Sequence, residues 1–190
     1  LRYDGVRSFL GSRGITLPDG DPGDSPGDTN VCALGNRKNT LFNDLLERDG
    51  IAPYPGSQST LDLLATEGIP SAIVSSSKNT VPVLLAAGLA HRFDVVVDGV
   101  VAAELGLAGK PAPDGYLLGA TRLGIDPSRS VVVEDAVSGV AAGANGAFAV
   151  TIGVDRGAGH AKLLANGATF VVNDLSDLLP DRPDPTPGTA

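Results

Sequence analysis

Three short polar clusters, each beside an apolar run or a turn, contain the residue types that bind phosphate groups and hard cations. Residues 75–79 (SSSKN) offer hydroxyl, ammonium and amide groups that suit phosphate oxygens. Lys110 stands before a Pro-Ala-Pro turn, and Glu134 and Asp135 directly follow three valines. The three clusters thus contain polar groups of complementary kinds, and the first of them suits a phosphate group.

Each cluster also has an ordinary structural explanation. Ser and Asn are common in turns and helix caps, and Asp is among the best capping residues. A single Lys-Pro pair is usually an exposed turn, because lysines are mostly exposed. The order of the three clusters is therefore more informative than any one of them.

From residue 56 onward the sequence repeats one pattern, in which an amphipathic helix ends at or near Gly and a short apolar run follows. The continuous apolar runs predict strands that are buried on both faces, and their alternation with helices predicts a parallel, doubly wound α/β sheet. Ligands of such sheets bind beyond the carboxyl ends of the strands. The expected helices cover residues 57–67, 80–87, 113–123, 136–145 and 161–166, and the expected strands cover residues 72–74, 95–97, 131–133, 148–150 and 170–172.

The first part of the chain has a different character. Residues 3–13 and 37–49 read as helices, and we expect no strand before residue 69. Residues 19–28 (DGDPGDSPGD) are too polar and too rich in Pro and Gly to bury apolar surface, so we expect a flexible loop. Residues 53–56 (PYPG) form a plausible hinge.

Composition excludes several classes of partner. The formal net charge of −8, from 22 acidic and 14 basic residues, argues against binding to nucleic acid or to an anionic membrane. Cys32 is the single cysteine, so an intrachain disulfide is impossible and a reducing cytoplasm is the expected location. The sequence has neither a run of about 18 apolar residues nor the pattern of a signal peptide. The oligomeric state is not defined by these features, and a monomer is our expectation.

The order of the clusters resembles the second, third and fourth motifs of the haloacid dehalogenase superfamily. The similarity covers nearly the whole chain and is strongest to the β-phosphoglucomutase-like branch, through residues 75–79 (SSSKN), 109–114 (GKPAPD) and 133–139 (VEDAVSG). Residues 36–39 (NRKN) resemble a substrate-facing helix of that branch. The resemblance implies a partial helical cap over residues 1–52 and a Rossmann-like core with crossover helices over residues 53–179. The Pro-rich composition of residues 180–190 predicts a disordered tail.

The resemblance also implies a role for each cluster in Mg²⁺-dependent phosphoryl transfer on a small phosphorylated sugar. Ser75 would hydrogen-bond the transferring phosphoryl group, and Lys110 would neutralise charge beside it. Asp135, together with Glu134, would hold Mg²⁺. The other phosphate of the substrate would be bound by Ser76, Ser77, Lys78, Asn79, Arg37, Lys38 and Arg7.

The first motif of the family, a strand followed by the Asp-x-Asp that supplies the nucleophile, is not found. Asp4 has no strand before it, and Asp19 and Asp21 lie in the polar loop. We therefore expect several dozen preceding residues to be missing, including a strand between those that end at Ser75 and Glu134. Two strand edges would then be unpaired, so we expect the 190-residue chain to be poorly folded or aggregation-prone. Because the nucleophile is absent, we also expect the chain to be inactive.

Several functions stay open at this point. Mutase and hydrolase chemistry both fit, and the second phosphate-binding cluster favours the mutase, whose intermediate carries two phosphates. An inactive fragment or a phosphate-binding remnant is a second class. A flavodoxin-like regulatory or nucleotide-binding domain would share the sheet architecture, but no Gly-x-Gly-x-x-Gly or Walker-type loop follows any strand.

Overall fold

The computed structural model of the protein describes residues 2–180, which form eight helices, five strands and three short 3-10 helices. The strands are β1 (Ala72–Val74), β2 (Val95–Val97), β3 (Val131–Glu134), β4 (Val150–Val154) and β5 (Phe170–Val172). The helices are α1 (Arg2–Gly11), α2 (Val31–Asp49), α3 (Pro55–Thr66), α4 (Thr80–Ala86), α5 (Gly99–Glu104), α6 (Asp114–Leu123), α7 (Val137–Asn145) and α8 (His160–Ala165). The 3-10 helices cover Ala90–Arg92, Pro127–Arg129 and Leu175–Leu178.

All five strands pair in parallel, which confirms the expected α/β class. β1 pairs with β2, so that Ile73 lies opposite Val96. β4 lies between β3 and β5, and Val133 lies opposite Ile152. Among the described residues β1 and β3 each have a single partner strand. A further strand beside them stays a prediction.

Two compact units divide the chain, and neither is continuous in sequence. The first unit contains the chain up to Ala52 together with Ala72–Gly109, and includes the sheet β1–β2. The second unit contains Pro53–Ser71 together with the chain from Lys110 onward, and includes the sheet β3–β4–β5. The chain passes from the first unit to the second directly before Pro53, at the segment that the sequence pattern suggests as a hinge.

The expected division into a cap over residues 1–52 and a core over residues 53–179 stays a prediction. Of the expected disordered tail, residues 181–190 lie outside the described part of the chain. The first strand within residues 2–180 begins at Ala72, which confirms that no described strand precedes residue 69. No helix in the described range has the length and hydropathy of a membrane span.

α2 begins six residues before the expected position at residue 37, because Asn30 caps it. The side chain of Asn30 accepts the amide of Ala33 at 2.7 Å, and Val31 is buried in the first turn. The polar loop before the helix contacts it directly, since Nδ2 of Asn36 donates to the carbonyl of Pro22 at 3.0 Å. The loop that we expected to be flexible is thus hydrogen-bonded to α2.

The strand expected over residues 148–150 is wrong in position, because β4 covers Val150–Val154. Phe148 instead packs edge-to-face against Tyr116, with the ring centroids 6.0 Å apart. The residue at the carboxyl end of β4 is therefore Asp155, a position that the sequence pattern does not single out.

Burial on both faces, expected for every strand, is correct for β4 and wrong for β3. The central strand β4 contacts α7 and α8, and Ile152 and Val154 on one face and Thr151 and Gly153 on the other are all buried. In β3 the burial alternates, because Val132 is buried whereas Val131 and Val133 are 54% and 44% exposed. A run of three valines does not reveal this difference, because β-branched residues suit edge and central strands alike.

Candidate active site

At the carboxyl end of β3, Glu134 forms a largely buried ion pair with Lys110. Nζ of Lys110 donates to Oε1 of Glu134, and the two side chains are 18% and 12% exposed. The hydroxyl of Tyr116 donates to the same oxygen at 3.1 Å. Nζ of Lys110 also lies 4.8 Å from the centre of the Tyr116 ring. The structure thus brings together Lys110 and the acidic pair, two of the three predicted clusters.

The second oxygen of Glu134 is occupied by backbone amides. Oε2 accepts the amides of Asp135 and Ala136, both at 2.8 Å. A Cβ at Gly139 would collide with the Glu134 side chain, so a glycine is needed for this close approach. Burial alone would raise the pKa of Glu134, but the hydrogen bonds from Lys110 and from the amide of Ala136 outweigh it and lower the pKa. Glu134 is therefore an ionised acceptor with both oxygens in use.

α6 and α7 hold the loop that carries Lys110. At the end of α7, Nδ2 of Asn145 donates to the carbonyl of Pro111 at 3.0 Å. In α6, burial and then the nearby charge of Glu134 raise the pKa of Tyr116, so its hydroxyl is protonated and can donate. The sequence analysis missed Tyr116 and Asn145. Tyr116 lies in α6, which follows the motif at residues 109–114, and Asn145 lies at the end of α7, which begins in the motif at residues 133–139.

Asp135 is the more accessible of the two carboxylates. Partial burial of its carboxyl group, and then the charge of Glu134, raise the pKa of Asp135, whereas the charge of Arg156 opposes this. Hard cations such as Mg²⁺ bind one or two carboxylates and complete their coordination with water and phosphate oxygens. Asp135 fits as one such ligand. Within residues 2–180 no group of three or more His, Cys, Asp or Glu side chains is arranged so that it could hold a metal ion.

A second polar group lies at the ends of β4 and β5. The guanidinium of Arg156 stacks on Tyr54 at 3.3 Å from the ring centre and lies 3.9 Å from the carboxylate of Asp174. Oδ1 of Asp155 accepts the amides of Gly157 and Gly159, both at 2.9 Å. Asp155 and Arg156 were missed because the expected strand 148–150 ended four residues too early.

In the first unit, residues 75–79 form a tight turn directly after β1. The amide of Ser75 donates to the carbonyl of Val97, and Oγ of Ser75 accepts the amide of Ser77 at 3.1 Å. Oγ of Ser77 in turn accepts the amide of Asn79 at 3.0 Å. The carbonyl of Ser77 accepts the amide of Gly99 at 3.0 Å, so the turn is held against the start of α5. Ser75 and Ser77 therefore do stabilise the turn, as the ordinary structural explanation holds. Their hydroxyl protons are not used in these bonds and lie at the carboxyl end of β1.

The same turn contacts α2. Nδ2 of Asn79 donates to Oδ1 of Asn39 at 2.7 Å. On α2, Arg37 and Lys38 are exposed, as is Lys78 in the turn, and none of the three has an ion-pair partner among the described residues. The chain as a whole has a net charge of −8, whereas this region carries three cations without an ion-pair partner among the described residues.

Arg7, which the resemblance assigned to phosphate binding, is engaged elsewhere. It forms ion pairs with Asp4 at 2.7 Å and with Asp19 at 3.0 Å, and these hydrogen bonds raise its pKa. Two carboxylates neutralise its charge in this structure, and its assignment to phosphate binding stays a prediction. Asp4 lies in α1 and Asp19 lies in the loop between α1 and α2, so neither follows a described strand.

The sequence profile of the haloacid dehalogenase-like hydrolases matches residues 3–146, which is more than half of the chain. The chain belongs to this family. The resemblance carried by the motifs at residues 75–79, 109–114 and 133–139 is thereby confirmed at the level of the haloacid dehalogenase-like family. Lys110 and Glu134 lie in the matched region, as does the turn after β1.

Several relatives have names that state an activity. The β-phosphoglucomutase of Mycobacterium bovis is 48% identical over 181 residues, which cover 94% of this chain and 69% of the relative. Hexitol phosphatase A of Escherichia coli is 45% identical over 101 residues, which cover 51% of this chain and 44% of the relative. The chain is thus similar both to a protein named as a mutase and to one named as a phosphatase.

The fold is shared with solved structures. The crystal structure of β-phosphoglucomutase from Clostridium difficile superposes with a TM-score of 0.75 at 23% identity, covering 94% of this chain and 73% of the other. The similarity is one of fold, and agrees with the parallel α/β class expected from the sequence.

Proposed function

We propose that the chain takes part in Mg²⁺-dependent phosphoryl transfer on a small phosphorylated sugar. The observation that carries the proposal is the ion pair of Lys110 with Glu134, beside Asp135 at the carboxyl end of β3. Ligands of parallel sheets bind at such strand ends, and phosphoryl transfer depends mainly on positioning and electrostatic stabilisation. The similarity to a β-phosphoglucomutase and to a hexitol phosphatase supports a phosphorylated sugar as the substrate class.

In this proposal Lys110 neutralises negative charge on the transferring phosphoryl group, and Glu134 holds the lysine in place. Glu134 was predicted as a metal ligand, but its two oxygens already receive four donors, which favours the anchoring role. Asp135 is the carboxylate that we assign to Mg²⁺. When bound, Mg²⁺ supplies Lewis-acid polarisation of phosphate oxygens.

Residues of the first unit bind phosphate oxygens in this proposal. The hydroxyl of Ser75, at the end of β1, donates to the transferring phosphoryl group. Exposed cations without carboxylate partners in the described chain, together with the hydroxyls and amide of the turn, bind the non-transferring phosphate. These phosphate-binding residues are Ser76, Ser77, Lys78, Asn79, Arg37 and Lys38.

Between the two chemistries, we favour the mutase. A second phosphate site is useful when the intermediate is a bisphosphate, and the cations Arg37, Lys38 and Lys78 provide one. The 48% identity to a β-phosphoglucomutase over 94% of the chain supports the same choice. Hydrolysis is the alternative that the phosphatase relative supports.

The nucleophile of the family is the part that we do not assign to residues 1–190. No Asp-x-Asp follows a strand of the described chain. We therefore propose that the 190-residue chain binds sugar phosphates but does not turn them over, which is also the expectation for an inactive phosphate-binding fragment. A monomeric state and a cytoplasmic location, both expected from the sequence, stay predictions.

Titration of the 190-residue chain with glucose 6-phosphate, with and without Mg²⁺, tests the proposal. We expect saturable binding that Lys78→Ala weakens and Lys162→Ala, an exposed control in α8, leaves unchanged. We also expect Asp135→Asn to remove any effect of Mg²⁺ on the titration. Absence of binding by the wild-type chain would reject the proposal.

A parallel assay of β-glucose 1-phosphate tests the mutase and the expected lack of turnover. Formation of glucose 6-phosphate is measured against release of inorganic phosphate, with Mg²⁺ present. We expect neither product above the buffer control. Robust turnover that is lost in Asp135→Ala would support the site but reject the inactivity, and the dominant product would distinguish mutase from hydrolase.

A further inference from the structure

Asn39 connects three elements of the first unit through one side-chain oxygen. Its Oδ1 accepts from Nδ2 of Asn79, in the turn after β1, at 2.7 Å. The same oxygen accepts from a guanidinium nitrogen of Arg2, in the first turn of α1, at 2.7 Å. These donors are 40 and 37 residues away in sequence, so the contacts define the tertiary arrangement of α1, α2 and the turn.

The close approach of α1 to α2 depends on a glycine. A Cβ at Gly35 would lie 2.8 Å from the ring of Tyr3, which is too close for a normal contact. It would lie 3.4 Å from Cγ of Arg2, which is at the limit of normal contact. The hydroxyl of Tyr3 donates to Oδ1 of Asn36 at 3.0 Å, which fixes the same end of α1. Arg2 therefore reaches Asn39 because Gly35 leaves room for the start of α1.

The arrangement leaves donors available beside Asn39. An arginine has five N–H donors, and Arg2 uses one of them on Asn39 in the described contacts. Asn79 has a second side-chain N–H. The exposed cations Arg37 and Lys38 directly precede Asn39 in α2. Donors from α1 and from the turn after β1 thus meet at one acceptor on α2. Arginine in particular suits bidentate binding of phosphate.

We propose that Asn39 is a positioning residue and that Arg2 is a further phosphate-binding residue. Asn39 holds the guanidinium of Arg2 and the amide of Asn79 in the orientation in which both donate to the non-transferring phosphate of the sugar. This inference rests on the proposed function, because it assigns new residues to the phosphate site of the first unit. Asn39 has no phosphate contact of its own and acts through the two donors.

Glucose 6-phosphate is the probe for the test, and the 190-residue chain is the protein. Asn39→Ala should weaken its binding about 5- to 20-fold, the effect expected when one or two hydrogen bonds are lost. Arg2→Gln should weaken binding to a similar extent and reduce its dependence on salt, because a charge is removed. Asn43→Ala and Arg13→Gln are the matched controls, because Asn43 is exposed in α2 and Arg13 is exposed just after α1. Both variants should leave the affinity within twofold of wild type.

A second measurement separates positioning from simple loss of a polar group. The side-chain NH₂ resonances of Asn79 should move in Asn39→Ala and return towards the wild-type position in Asn39→Asp, whose carboxylate can accept the same bonds. Unchanged Asn79 resonances in Asn39→Ala, or wild-type affinity in both Asn39→Ala and Arg2→Gln, would reject the inference while leaving the proposed function intact. If the wild-type chain itself binds no glucose 6-phosphate, the proposed function is rejected instead.

Discussion

Lys110 and Glu134 are 24 residues apart in sequence, and the ammonium group of one is bonded to the carboxylate of the other. Both side chains are mostly removed from water, at 18% and 12% exposure. Tyr116 and two backbone amides complete the bonding of Glu134, so the pair belongs to a satisfied network. This network is the most defined chemical feature of the second unit.

Removing one member of the pair should destabilise the protein because it leaves the other charge poorly compensated. We expect Lys110→Met to lower the free energy of unfolding by about 2 to 4 kcal/mol, slightly less than the loss for fully buried pairs, because this pair is partly exposed. Glu134→Gln should cost a similar amount. The double variant should cost clearly less than the sum of the two, and urea denaturation of all four proteins measures this coupling. Additive losses would contradict the paired arrangement.

Tyr116 should contribute through both its hydroxyl and its ring. Tyr116→Phe removes the hydrogen bond to Glu134 and keeps the ring, and should cost about 1 to 2 kcal/mol of unfolding free energy. Tyr116→Leu also removes the contacts of the ring with Lys110 and Phe148, and should cost about 1 to 2 kcal/mol more. Equal stability of Tyr116→Phe and wild type in chemical denaturation would show that the hydroxyl contributes nothing.

Two helical glycines offer a matched comparison. Gly5→Ala in α1 should stabilise the protein by about 0.5 to 1 kcal/mol, because the new methyl group meets no atom within 4 Å and Ala favours the helix. Gly139→Ala in α7 should instead destabilise it by about 1 to 3 kcal/mol, because its methyl group collides with Glu134. The bonds to Lys110 and Tyr116 prevent that carboxylate from moving aside. Thermal unfolding of both variants should therefore give shifts of opposite sign.

Much of the fold could be predicted because its signals are local. The apolar runs at residues 72–74, 95–97 and 170–172 coincide with strands, and that at residues 131–133 falls short of β3 by one residue. The helix boundaries agree to within about two residues wherever a Gly or a capping residue marks the end. The start of α2 was misplaced because its N-cap, Asn30, follows a polar loop whose contacts with the helix are not apparent from local sequence.

The site was predictable in residue type but not in bonding. The motifs identified Lys110, Glu134 and Asp135, yet the occupation of both Glu134 oxygens depends on Tyr116 and on backbone amides that only the folded chain brings close. The ion pairs of Arg7 with Asp4 and Asp19 were not foreseen for the same reason, since these partners become apparent only in the structure. Spacing along the chain indicates which groups are available, whereas tertiary contacts determine which of them are already used.

Asp174 should make the stability depend on pH at the acidic end. Its Oδ1 accepts the amide of Ser176 at 3.0 Å and the hydroxyl of Ser176 at 2.8 Å, and these bonds, followed by the charge of Arg156, lower the pKa of Asp174. A carboxylate with a lowered pKa contributes stability above its unfolded pKa of about 4 and loses it as the pH falls through the lower, folded value. Wild type should therefore exceed Asp174→Asn in stability at pH 7, and the difference should shrink as the pH falls below about 4. Urea denaturation of both proteins between neutral and strongly acidic pH measures the difference, and a gap that is constant or grows towards low pH would contradict the assignment.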